Sequence, residues 1–132
     1  MSDIVLDASA ILAFLQQEPG AARVESALLE ERCHLLTINL AEVLSRLSDW
    51  QVPVAEAEAR ITATDVELVP FDRELARLTA DLRQHTRHLG LSLGDRACLA
   101  LTRATSARAL TADRSWVTLD LGVAIECIRP VP

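Results

Sequence analysis

The stretch Ile4-Val5-Leu6-Asp7-Ala8-Ser9-Ala10-Ile11-Leu12 decides the fold. Three apolar, strand-favouring residues run directly into an acid. The pattern then changes period: Ile11, Leu12 and Leu15 share one face of a helix expected over Ala8 to Gln16. A short, wholly apolar strand feeding a helix is the repeating unit of a parallel sheet covered on both faces. Such a sheet collects strand C-termini and helix N-termini on one edge, where ligands bind. Asp7 stands at that edge.

The same alternation continues along the chain. Pro19-Gly20 breaks the first helix, and Ala21 to Glu31 forms a second with Val24, Ala27 and Leu28 inward. Cys33 to Ile38 reads as a strand. Asn39 then reads as an N-cap, with Glu42 three residues on, for a helix to about Trp50. Pro53 opens a helix to about Ala63, and Val66 to Phe71 is a strand. Asp72 caps the longest expected helix, which carries Leu75, Leu78 and Leu82 and ends at Gly90. Ser92 caps Leu93 to Ala104, and strands follow at Ala107 to Ala112 and Ala124 to Ile128. The length of 132 residues fits one domain over residues 1–132.

Composition narrows the chemistry. Half the residues are hydrophobic, yet no apolar run is long enough for a membrane span, and Asp3 and Asp7 interrupt any N-terminal leader. The expected location is the cytoplasm. The net charge of −6 argues against holding nucleic acid by bulk positive charge. All 13 basic residues are arginine. The absence of lysine weighs against P-loop NTPases, against haloacid-dehalogenase-like phosphatases and against a receiver-like phosphoacceptor domain, all of which use one. Cys33, Cys98 and Cys127 are widely spaced and read as buried apolar residues rather than a metal or redox motif. Two Phe, two Trp and no Tyr leave little for a base-stacking sheet.

Four carboxylates concentrate the functional signal: Asp7, Glu42, Asp95 and Asp113. Asp7 and Asp113 lie just past apolar strands; Glu42 and Asp95 lie where helices begin. Taken singly, each has a local explanation as a cap or a turn residue. Taken together, they meet on one sheet edge, where converging carboxylates repel until a divalent cation relieves them. Ser9 and Thr111 supply hydroxyls beside them. Arg96 and Arg114, each adjoining an acid, are candidates for phosphate contact. Arg73, Arg77, Arg83 and Arg87 read as a solvated, salt-bridged helix face, His85 and His88 as solvent-facing, Trp116 as core, and Asp120 and Glu126 as surface acids.

The segments IVLDASAIL, NLAEV, SLGDRACLALT and LTADRSW, in this order, resemble the PIN-domain ribonucleases, and in particular the VapC-type toxins of bacterial toxin–antitoxin pairs. The resemblance spans essentially the whole chain. It implies an α/β, three-layer fold with a five-stranded, mainly parallel sheet flanked by helices. It implies that Asp7, Glu42, Asp95 and Asp113 are the catalytic acids, that Asp7, Asp95 and Asp113 hold Mg2+ (or Mn2+), and that Ser9, Asn39 and Thr111 are the accompanying polar residues. It also implies a structured RNA substrate such as tRNA or ribosomal RNA, a cognate antitoxin lying across the toxin, and a homodimer. Apolar surface left over on the first two helices would serve the antitoxin or the dimer. A receiver-like phosphoacceptor signalling domain and a catalytically inactive PIN scaffold that binds a protein partner are the competing readings.

Overall fold

The computed structural model describes residues 3–130, so both ends of the expected 1–132 domain lie outside the described residues. Strand β1 (Asp3–Leu6) enters helix α1 (Ala8–Gln16), and α2 (Ala21–Glu30) leads to β2 (Arg32–Leu36). Helices α3 (Thr37–Asp49) and α4 (Val54–Thr62) precede β3 (Glu67–Val69). Then come α5 (Arg73–Asp81), α6 (Arg83–Thr86), a 3-10 turn (Arg87–Leu89) and α7 (Leu93–Thr105). Strand β4 (Arg108–Thr111), a second 3-10 turn (Arg114–Thr118) and β5 (Ala124–Cys127) complete the described chain.

The five strands form one sheet in the order β3-β2-β1-β4-β5, and every pairing is parallel. The strands are apolar because both faces are covered, and side chains alternate between two cores. Ile4, Leu6, Leu35 and Leu110 pack with α1, α2, α3 and α4. Val5, Leu36 and Ala109 pack on the other face with Leu75 of α5 and with Ala97, Leu99 and Leu101 of α7. This is the expected three-layer α/β architecture. The strand order reverses at β1, whose neighbours are β2 and β4. Open α/β sheets form their ligand crevice at such a reversal, outside the strand C-termini. Leu6 pairs with Leu110 there, which sets Asp7 and the segment after Thr111 side by side.

Two local expectations differ from the structure. The strand ending at Ile38 stops at Leu36, and α3 begins at once, so Asn39 lies inside the first turn and is no N-cap. Tertiary bonds described below draw it inward, overriding its capping preference. The single long helix over residues 72–89 breaks into α5, α6 and a 3-10 turn. Thr86 there turns its hydroxyl back onto the carbonyls of Leu82 and Arg83, competing with regular helix bonding. Glu126 remains partly exposed, and the Arg23 guanidinium grips it from α2 with Nε–Oε2 at 2.6 Å, which holds its carboxyl below the ordinary range. Gly90, at φ 62°, ends its segment as expected, and Trp116 is fully buried. His85, His88 and the four arginines of this region are exposed, with Arg77–Glu74 an i,i+3 ion pair.

Candidate active site

Asp7 is the structural centre of the sheet edge. It caps α1, accepting from the Ala10 N–H at 2.8 Å, and only 3 % of it is exposed. Ser9 Oγ donates to its Oδ1 at 2.7 Å, and Thr111 Oγ1 donates to its Oδ2 at 2.6 Å. Each hydroxyl also accepts a backbone N–H from the β4 exit, Ala112 on Ser9 and Asp113 on Thr111. These bonds stitch β1 to β4 at the reversal point. Burial nevertheless dominates the electrostatics. It pushes the Asp7 carboxyl from 3.8 up to about 6, against the pull of the Thr111, Ala10 and Ser9 hydrogen bonds, and the negative charge of Asp95 adds to the rise.

Asp95 and Glu42 approach from two helices. Ser92 and Asp95 form a complete capping box at the start of α7, as the sequence predicts. Glu42 sits in α3 with Oε1 accepting from Asn39 Nδ2 at 2.8 Å. The same Nδ2 donates to the Gly94 carbonyl of α7 at 3.1 Å. Glu42's carboxyl is raised by burial and by Asp95, with the Asn39 bond and Arg46 opposing. Asp113 is exposed and caps the following 3-10 turn, its Oδ1 accepting from the Ser115 N–H and hydroxyl.

The structure therefore brings Asp7, Ser9 and Thr111 into direct contact, joins Glu42 to Asn39, and sets Asp95 within the electrostatic field of both. Asp113 is tied to this group through its backbone. Among the described residues, no three His, Cys, Asp or Glu side chains are gathered closely enough to hold a metal ion directly. The donor chemistry still fits a hard divalent cation. Every donor is a carboxylate oxygen, the charge of Asp95 raises the proton affinity of Asp7 and Glu42, and none of the four forms an ion pair among the described residues. Magnesium keeps several waters, so carboxylates beyond direct ligand distance can hold it through them.

The two candidate arginines differ. Arg96 is buried, and its Nη1 donates to the Thr79 carbonyl of α5 at 3.1 Å, so it belongs to the packing between α5 and α7 and offers little to a phosphate. Arg114 is exposed, with Nε donating to the Pro130 carbonyl. Gly94 is not among the residues the sequence singles out, yet a Cβ there would overlap the Glu42 carboxyl. The signal was a glycine in the first turn of a capped helix, where it is a poor helix former.

The PIN-domain family model matches residues 4–120. No curated protein matches the chain. Among solved structures, a VapBC-5 toxin–antitoxin chain from Mycobacterium tuberculosis is 26 % identical with a TM-score of 0.63, covering 98 % of this chain and 100 % of that one. A chain of DNA-bound VapBC from Salmonella typhimurium is 17 % identical with a TM-score of 0.73, covering 97 % and 99 %. VapC20 from Mycobacterium tuberculosis, described as a sarcin–ricin-loop-cleaving toxin, is 15 % identical with a TM-score of 0.71, covering 92 % and 98 %. Among the described residues, no helix is long and apolar enough to cross a membrane.

Proposed function

Because the chain belongs to the PIN-domain family, we propose that it is a metal-dependent endoribonuclease acting as the toxin of a type II toxin–antitoxin pair. The observation that carries this reading is the buried Asp7 carboxylate. It is fixed by Ser9, Thr111 and a helix N-terminus at the sheet's reversal point, and it faces the charge of Asp95 with no ion-pair partner among the described residues. A structural acid so deeply buried would be expected to have an arginine partner.

In this reading Asp7 and Asp95 hold Mg2+ or Mn2+, with Asp113 and Glu42 completing the site directly or through water. The bound ion lowers the pKa of water and offsets charge developing on the phosphate. Ser9 and Thr111 fix the orientation of Asp7, as partners of a ligating carboxylate do. Asn39 does the same for Glu42, whose raised proton affinity suits it to accept the proton of the attacking water. In-line attack breaks the P–O3′ bond and leaves a 5′-phosphate and a 3′-hydroxyl. Arg114 is the exposed candidate for a flanking phosphate. The substrate class is structured RNA, such as tRNA or ribosomal RNA. The partners are a cognate antitoxin and a second copy of the chain, in the cytoplasm, with residues 1–132 acting as one domain.

The purified protein should cut structured RNA with Mg2+ or Mn2+ and not with EDTA, and Asp7→Asn and Asp95→Asn should abolish cleavage. Asn variants that cut as well as the parent would remove the site assignment. Induced expression should arrest growth, with relief on co-expression of the neighbouring upstream gene; unarrested growth would leave a nuclease of another role.

A further inference from the structure

We propose that Gly94 is a positioning residue for Glu42. Its missing side chain is the space that the Glu42 carboxylate occupies, and any Cβ there drives that carboxylate off the first turn of α7. The inference rests on the metal-dependent reading above and names a residue that serves it.

Two ordinary reasons for a glycine do not apply. The glycines with positive φ are Gly20, Gly90 and Gly122, so Gly94 needs no left-handed backbone. It is also buried within a helix, where alanine is the better helix former. What the position excludes is atoms: a Cβ would overlap Oε1, Cδ and Oε2 of Glu42. Asn39 locks this arrangement. Its Nδ2 donates at once to Glu42 Oε1 and to the Gly94 carbonyl, at 2.8 and 3.1 Å. Two acceptors fix which end of the amide faces them, and the opposite end, Oδ1, is buried without a hydrogen-bond partner. The residue after Gly94 is Asp95, whose charge acts on Glu42. Glycine thus sets the register of α3 against α7 so that two acids from different helices share one side of the site.

Mn2+ alone is the probe, titrated against the full chain and followed by the electron paramagnetic resonance signal of the free ion. Gly94→Ala should weaken Mn2+ binding by about 10–100-fold, the usual effect of disturbing the surroundings of a ligating carboxylate. Gly94→Ala/Glu42→Asp should bind better than Gly94→Ala, because the aspartate carboxylate is one methylene shorter and leaves room for the Cβ. A thermal test needs no metal. Gly94→Ala should raise Tm more in a Glu42→Ala background, where the space is empty, than in the parent. Parent-like Mn2+ affinity in Gly94→Ala, a double variant no better than Gly94→Ala, or equal effects on Tm in both backgrounds would each overturn the inference while leaving the nuclease reading intact. A parent that neither binds Mn2+ nor cuts RNA would remove that reading, and the inference with it.

Discussion

Asp7→Asn should stabilise the metal-free protein at neutral pH, although it removes a residue with three hydrogen-bonding partners. The reason is the cost of a buried charge. The carboxyl's displacement from 3.8 to about 6 corresponds to about 3 kcal/mol at 1.36 kcal/mol per pKa unit. Because the folded value is the higher one, this stability is present in full below pH 3.8, is lost as pH rises through about 6, and is absent at pH 7. Asparagine abolishes the loss by staying neutral. It keeps an oxygen for the Ala10 N–H, but its amide nitrogen must face the Thr111 hydroxyl that now donates to Oδ2. One rearranged bond costs about 1 kcal/mol. The net gain at neutral pH is about 1–2 kcal/mol, or roughly 3–10 °C in Tm for a chain of this size. Urea and thermal denaturation in EDTA, followed by circular dichroism across the window from pH 7.5 to 4, measure it. The parent should gain on the variant as pH falls and overtake it near the lower limit. Added Mn2+ should then stabilise the parent and leave the variant unmoved. A variant less stable than the parent at neutral pH, by an amount independent of pH, would show that the carboxylate is well compensated, and the argument for an unbalanced site would fail.

Other consequences are more local. Ser92→Ala removes the hydroxyl half of the α7 capping box, the acceptor of the Asp95 N–H, and should cost about 1 kcal/mol in urea denaturation; an unchanged midpoint would mean that this hydroxyl does not hold the start of α7. Arg96→Ala removes a buried guanidinium bound to the Thr79 carbonyl and should cost about 2 kcal/mol of stability. Arg114→Ala should change stability by about 0.5 kcal/mol or less and raise KM for RNA; the opposite pattern would restore Arg96 as the phosphate contact. At low cation concentration, Mn2+ binding and RNA cleavage should both fall as pH drops through about 6, where Asp7 takes up its proton in competition with the ion. Activity held level down to the ordinary carboxylate range would exclude Asp7 as a ligand.

The sheet was legible because strand and helix periods are written in consecutive residues. Ile4, Val5 and Leu6 are all apolar, as a strand buried on both faces requires, and the spacing of Ile11, Leu12 and Leu15 needs no partner to be read. The capping box of Ser92 and Asp95 was legible for the same reason, since both members lie within one turn. Asn39 was misread because its bonds run partly to Gly94, fifty-five positions away, and local preference could not anticipate them. Arg96 was misread, and the ion pair of Glu126 went unread, because charge usually marks surface. A buried guanidinium on a carbonyl, or a glutamate gripped by Arg23 from another element, leaves no mark in the neighbouring residues. The grouping of the acids was legible only by way of topology: Asp7 and Asp113 are neighbours because β1 pairs with β4, which no spacing along the chain states.

Capping and chemistry are not rival explanations for these acids. Asp95 gives Oδ2 to the Ser92 N–H, Glu42 gives Oε1 to Asn39, and Asp113 gives Oδ1 to Ser115. In each case the local bond fixes one oxygen and leaves the other without a hydrogen-bond partner among the described residues. A carboxylate held in this way has lost its rotamer freedom to a bond that the fold needs anyway, so little further entropy is lost when the second oxygen meets a cation. Asp7 follows a different rule, since both its oxygens accept, and it alone is fully buried. Its cost appears as raised proton affinity, which a cation beside it would relieve. Deleting a cap and deleting a ligand should therefore be inseparable at Asp95 in any single substitution. Ser92→Ala reaches the other half of the box: it removes the hydroxyl that accepts from the Asp95 N–H and leaves the carboxylate, with its bond to the Ser92 N–H, in place.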